Sequence, residues 1–328
     1  MFFANKEKFW LNSSIYLNDN SILSAELSKI IINDYVLPED CSSTALSNYV
    51  LFKKTFSEYY ERRILGFNSF KKGITWCLAK DSVITVNRAD IGYGYNLNYG
   101  FLDTTGTAAG VDFLKMKEKS LSELIEKNES LIFWYTNKAL LIDHTPFVTS
   151  AIKKVGLSNI SVHLFYSNEL SSMHTVIALC FYKNTFLASG MECSLNFIDA
   201  LYGSLYEAKM ILNVYYGRNI YPIKQLKDKQ YQICIYKFIN NKINNAKILK
   251  NIPTTNKKII LSSWIDDIIY VGLDITNFQG VRGIRCLSKK LLNCVPYTKY
   301  IKEMPEKAIL KKYNILPKLR TVPAYPLF

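Results

Sequence analysis

The chain has 328 residues, 49% of them hydrophobic and 21% charged, the make-up of a folded globular protein with one sizeable core or two modest ones, which argues against long disorder. Its 41 Lys and Arg against 27 Asp and Glu give a net charge of +14, yet the excess is mostly Lys and travels with abundant Asn, Ile and Tyr, a compositional bias that discounts nucleic acid as a partner. No RNA-binding signature or zinc finger accompanies it, no window approaches eighteen uncharged apolar residues, and the start MFFANKEKFW lacks the run of a signal peptide, so the reading is a cytoplasmic protein with no membrane segment.

Taken in chain order, residues 1–65 read as a helical capping segment of the same domain as 66–328, with weak helical patterns near 20–33 and 43–63. GITWCLA at 73–79 is a strand-length apolar run. The stretch TTGTAAG reads as a small-residue loop in which Gly106 and Gly110 let backbone approach a ligand or another strand, and it does not match the phosphate-binding P-loop. A strong helix is expected over 113–130. Positions three and four apart share a face there, so Glu123 sits beside Glu126 and Lys127, with Lys119 one turn earlier. Two carboxylates at this spacing suit Mg²⁺ held together with phosphate oxygens, and they equally suit a solvated face of Glu–Lys pairs. The aromatic run LIFWY at 131–135 reads as a strand.

Further on come a helix near 145–155, strands at 160–166 and 175–182, and a helix over 196–216 in which Ala200, Gly203, Ser204 and Glu207 share one face, leaving room beside the glutamate for a ligand or a second helix. YQICIYKFI at 231–239 reads as a strand, the Asn- and Lys-rich interval 240–258 as a surface excursion, and 268–276 as another strand. The chain ends in TVPAYPLF, with Pro323 and Pro326 in a terminal tail. This mixture predicts an α/β or α+β fold with helices covering sheets. The seven cysteines form no CxxC pair and the three histidines leave zinc little to draw on, so the thiols read as reduced core filler and His144, His163 and His174 as structural.

The small-residue turn ending at Gly110, the interval to Glu123, the E-L-I-E-K run and the later DALYGSLYEAKMI resemble the YcaO family, with further likeness in DITNFQGVRGIRCLSKKLL and the tail. The resemblance implies mixed sheets and helices around a central site for ATP and Mg²⁺. Glu123, Glu126 and Glu207 would hold the metal and serve catalysis, Lys127 and Arg285 would offset phosphate charge, and the backbone from Gly106 to Gly110 would lie close to the nucleotide. The tail ending in Phe328 would reach the active site, placing Phe328 among the catalytic residues. Lys127 stands where the family usually has Arg, trading a bidentate fork for a point charge. Lys119 stands where relatives usually carry a small polar residue, and either adds a phosphate contact or blocks the site.

The activity implied is an ATP-dependent cyclodehydratase: Cys, Ser or Thr of a ribosomal precursor peptide attacks the preceding amide, and the amide oxygen leaves as phosphate, giving thiazoline or oxazoline. The implied partners are that precursor peptide, a separate E1-like, ThiF-type leader-binding protein and an FMN-dependent azoline dehydrogenase. Two other readings stay open, a thioamide-forming enzyme and a catalytically inactive docking scaffold. The sequence does not identify the general base.

Overall fold

At two places, after Gly110 and after Ser194, the apolar period changes from that of a strand to that of a helix, and at each a strand runs into a long helix. These two units build the walls of one cavity. The computed structural model describes residues 9–11, 22–26, 31–32, 35–36, 40–44, 48–80, 82–218, 228–273 and 280–326.

In chain order the N-terminal part contributes β1 (Phe9–Leu11), β2 (Ile22–Glu26), β3 (Ile31–Ile32), β4 (Tyr35–Val36), β5 (Asp40–Thr44) and α1 (Asn48–Ser69). β6 (Ile74–Leu78), β7 (Val83–Asn87), β8 (Gly94–Asn96), β9 (Gly100–Leu102) and β10 (Thr107–Gly110) lead to α2 (Phe113–Tyr135). β11 (Leu140–Ile142), α3 (Pro146–Val155), β12 (Ser161–Ser167), β13 (His174–Tyr182) and β14 (Thr185–Ser194) lead to α4 (Phe197–Arg218). α5 (Lys229–Asn245), β15 (Ile248–Leu249), β16 (Ile269–Leu273), β17 (Arg282–Leu287), α6 (Thr298–Glu303) and α7 (Ala308–Lys312) complete the order.

One five-stranded sheet runs β10-β17-β16-β6-β7 and the other β14-β13-β12-β11-β15, antiparallel except for the parallel pair β11–β15. α2 lies against both, packing on β10 and β17 with its first turns and on β13 and β14 further along. Burial on both faces of β13 explains why HTVIALCFY is apolar without alternation from Val176 to Phe181. Ile177, Leu179 and Phe181 point into the core around α2, whereas Val176, Ala178 and Cys180 point to the core under α3 and α4.

Several expectations are corrected. Residues 20–33 hold strands β2 and β3 rather than a helix, and the helix expected over 43–63 begins at Asn48, after strand β5. The segment 1–65 is therefore not simply helical. TTGTAAG is a loop only as far as Gly106, after which it is strand β10. LIFWY is the end of α2, buried on every side between the sheets, which erases the one-sided period that marks a surface helix. Residues 231–239 are helical too. In α5 the buried positions are Ile235, Ile239 and Lys242, spaced four and three apart, and the Asp228 side chain caps the first turn through Gln230 N at 2.8 Å. The 240–258 interval is helix to Asn245 and then extended chain, and the strand expected over 268–276 is β16, its last residues lying outside the described ones.

Lys242 has a defined task. Its ammonium donates to Phe133 O at 2.8 Å and Thr136 O at 2.6 Å, satisfying carbonyls that the end of α2 leaves open, and burial pulls its pKa down to about 7. All seven cysteines are free thiols, buried except Cys234. Among the described residues no helix is long and apolar enough to cross a membrane.

β14 and α4 touch at Gly190, where an added Cβ would run into Ser204 O and Ala208 N, both main-chain atoms of the facing helix. Gly190→Ala is expected to cost about 1–3 kcal/mol of unfolding free energy, measured by urea denaturation. Glu129, within α2, accepts hydrogen bonds from Ser167 Oγ and from Leu170 N at 2.6 Å, and burial raises its pKa from 4.5 to about 7. A raised folded-state pKa gives stability that is complete below pH 4.5 and is lost as pH rises to about 7. The stability of the wild-type chain relative to Glu129→Gln should thus fall by roughly 3 kcal/mol across that window in paired urea titrations.

Candidate active site

A cavity of about 960 Å³ lies between α1, α2, β14 and α4. Glu123 and Glu126 enter it from α2, Glu207 from α4, Glu192 from β14, and Glu58 and Glu61 from α1. The helical spacing read from the sequence does bring Glu123, Glu126 and Lys127 to one wall, and Glu207 faces them.

Each of these groups has a definable environment. Glu126 and Lys127 are both 7% exposed, and their side chains pair at 2.7 Å between Oε1 and Nζ. Burial alone would lower the Lys127 pKa, but Glu126, Glu207 and Glu123 outweigh it and hold the ammonium firmly charged. Glu123 accepts from Gly106 N at 3.0 Å, and its pKa rises to about 8, first through burial and then through Glu61 and Glu126, with Lys127 opposing. Glu207 accepts from Met191 N and also rises to about 8 through burial, with Glu126 and Glu192 adding to the effect.

Two residues that the sequence reading missed complete the walls. Glu192, raised to about 7 by burial and by Glu126, is the lone charge in the otherwise uncharged strand TFLASGMECS, and that isolation was its signal. Glu61 pairs with Lys119 at 2.5 Å and accepts from Ala109 N at 3.3 Å. The Lys119 side chain, 54% exposed, is thereby drawn to the α1 wall at the side of the cavity.

The remaining candidates stand apart from the cavity lining. Gly106 turns the chain at φ +75°, and a Cβ there would come within 2.6 Å of Cys286 O, so its freedom serves the turn that presents its N–H to Glu123. Gly110 ends β10 beside Met116. Arg285 is corrected most clearly. Alternation along β17 sends Ile284 toward Met116 of α2 and Arg285 to the opposite face, where it is fully buried and donates to Ile91 O at 3.0 Å and to Asp103 O. Burial lowers its pKa to about 10. His174 is held structurally between Tyr166 OH and Thr254 O, both at 2.9 Å.

Phe328 lies outside the described residues, but the tail before it is firmly seated. Trp134 Nε1 donates to Pro323 O at 2.9 Å, Tyr231 OH to Ala324 O at 2.6 Å, and Tyr325 OH bonds Ser130 Oγ at 2.5 Å. Ser130 is one turn along α2 from Glu126.

Among the described residues no three His, Cys, Asp or Glu side chains gather closely enough to cage an ion by themselves. Mg²⁺ draws on phosphate and water oxygens as well as on carboxylates. Beyond burial, Glu126 raises the pKa of each of Glu123, Glu192 and Glu207 while Lys127 opposes it at all three, and a bound cation would relieve that repulsion.

The chain is similar in fold to a subunit of the E. coli microcin synthetase McbBCD complex, with 14% identity, TM-score 0.59, and 87% of this chain and 88% of that one covered. It is likewise similar to YcaO from Methanopyrus kandleri bound with AMPPCP and Mg²⁺, at 12% identity and TM-score 0.62, covering 87% and 86% of the two chains. A heterocyclase in complex with substrate and cofactor matches at 10% identity and TM-score 0.60 over 87% of this chain and 49% of the other. No curated protein sequence matches. The profile of the family described as YcaO cyclodehydratase, ATP- and Mg²⁺-binding, matches residues 75–242, a span that holds β10, α2, β14 and α4 with Glu123, Glu126, Glu192 and Glu207, and the chain belongs to that family.

Proposed function

We propose that this protein is an ATP- and Mg²⁺-dependent cyclodehydratase that converts Cys, Ser or Thr of a ribosomal precursor peptide into thiazoline or oxazoline. The observation that carries the reading is the meeting of Glu123, Glu126, Glu192 and Glu207 from three separate elements around one cavity. In it Glu123, Glu126 and Glu207 hold Mg²⁺ against the nucleotide. When bound, the nucleotide supplies the means to turn a poorly leaving amide oxygen into phosphate.

The chain's own residues position and neutralise. Lys127, pinned by Glu126, keeps a positive charge deep in the wall. Gly106 N–H fixes the Glu123 carboxylate, and Met191 N–H fixes that of Glu207. Arg285 acts at one remove, by bracing the main chain at Asp103 just before the Gly106 turn. α1 spans the boundary expected at residue 65 and lines the cavity through Glu61, which supports counting the N-terminal segment as part of the catalytic unit. The scaffold alternative needs a filled site. Lys119 is tied to Glu61 and Lys127 to Glu126, and about 960 Å³ stays open between them, which favours catalysis.

The microcin synthetase has also been seen with pro-MccB17 bound, which supports a precursor peptide as the substrate here and a separate E1-like leader-binding protein as the partner. An FMN-dependent azoline dehydrogenase would act on the product.

The test is phosphate release from Mg-ATP by the chain with leader-binding protein and precursor, with the peptide mass followed in parallel. Loss of one water per ring is expected; a sulfur gained for an oxygen would replace this reading with thioamide formation. Glu126→Gln should lower turnover at least about a hundredfold while the melting temperature stays near that of the wild type. Tyr325 is 1% exposed, and Tyr325→Ala should cost about 3–5 kcal/mol in urea unfolding, with a red shift of emission as buried Trp134 loses its cover.

A further inference from the structure

The sheet β10-β17-β16-β6-β7 is covered on one face by Ile64 of α1 and the core around it, but on the other only in part. There Met116 of α2 packs on Ala108, Ile284 and Tyr270, and Lys117 lies over the Tyr270 ring at 4.7 Å. Beyond Tyr270 the cover stops. An added Cβ at Gly272 would meet nothing within 4 Å. The cross-strand pairs Leu78–Val83 and Trp76–Thr85 continue the same face, with Trp76 70%, Ile74 71% and Val83 61% exposed.

Such an arrangement is costly for a chain that stays alone. Ile74, Trp76, Leu78 and Val83 leave on the order of 450 Å² of apolar surface on this face, toward the upper end of what monomers leave open. It is more than half of the roughly 800 Å² each partner buries in a specific complex. Among the described residues the outer strand β7, Val-Ile-Thr-Val-Asn, has no neighbour on its far side, and it carries no charge or proline to guard its edge.

Charge decides between occupants. Alternation puts Arg282 on this face with Lys117, Lys72 precedes β6, Lys80 follows it with Asp81 next in sequence, and no carboxylate lies on the face among the described strand residues. Closing two copies on each other through it would bring basic borders together on a chain already at +14. We propose that this bare half-sheet is the docking surface for a different protein, one that presents apolar side chains within an acidic border, and that Trp76 is its central anchor. Resting on the function proposed above, the occupant is the separate leader-binding protein.

The experiment is titration calorimetry of the full chain with that protein, alongside sedimentation of the chain alone and mass analysis of the precursor peptide in the complete mixture. Wild type should bind, more weakly as salt rises, and Trp76→Glu and Val83→Lys should each weaken binding at least thirtyfold. Both variants should keep the wild-type melting temperature and the stabilisation by Mg-ATP, because both side chains are exposed. Arg282→Glu should weaken binding and flatten its salt dependence. Binding within threefold of wild type in both apolar variants overturns the proposal. So does a dimer of the chain alone that Trp76→Glu dissolves, or the absence of any binding by wild type. If wild type processes the peptide and the variants do so equally, the docking assignment alone fails; if wild type processes nothing, the proposed function fails.

Discussion

The arrangement turns on one electrostatic constraint: four carboxylates from α2, β14 and α4 are held in partial burial around a single cavity, with Lys127 as the cation embedded among them. Like charges drawn out of water raise each other's pKa, so a chain left to its own packing would relax them apart. Here the relaxation is prevented by main chain. Gly106 and Met191 aim N–H groups at Glu123 and Glu207, and each belongs to a strand or turn locked in a sheet. Burial and like charge leave Glu123 and Glu207 with pKa values of about 8, so a divalent cation entering there would displace protons.

Holding α2 rigid is the architectural answer. The helix is gripped by both five-stranded sheets, its C-terminal carbonyls are closed by Lys242, and the chain's tail lies over Trp134. Carboxylates on such an element have little freedom to drift. The mobile alternative, a glutamate on a surface loop, would lose more entropy for each ligand it positions.

What could be read from the sequence followed from period and spacing. Glu123, Glu126 and Lys127 were legible because helical geometry alone brings them together, and Glu207 because small residues cleared the face around it. The helix at 145–155 was legible from its apolar period, and β12 and β13 from their length. What stayed hidden depends on contacts distant in the chain. Glu192 and Glu61 join the site only once β14 and α1 pack beside α2, and Arg285 leaves it because strand alternation turns it the other way. LIFWY was misread because a short apolar run buried on every side looks the same as strand or helix until its neighbours are known, and YQICIYKFI because its apolar density hid the four-and-three spacing of Ile235, Ile239 and Lys242.

The order of strands has a consequence for how the molecule is made. Four strands of the second sheet, β11 to β14, lie within residues 140–194 and pair with near neighbours, so that half can form while synthesis continues. The first sheet cannot. Its β6, β7 and β10 are written before residue 111, yet the strands that join them, β16 and β17, come after residue 268. Until those arrive, Gly106 has no β17 to turn against and the first half of α2 has no sheet beneath it. Glu123, whose carboxylate accepts from the Gly106 N–H, therefore gains that partner only at the last closure, after Glu126, Glu192 and Glu207 have already met across α2, β14 and α4.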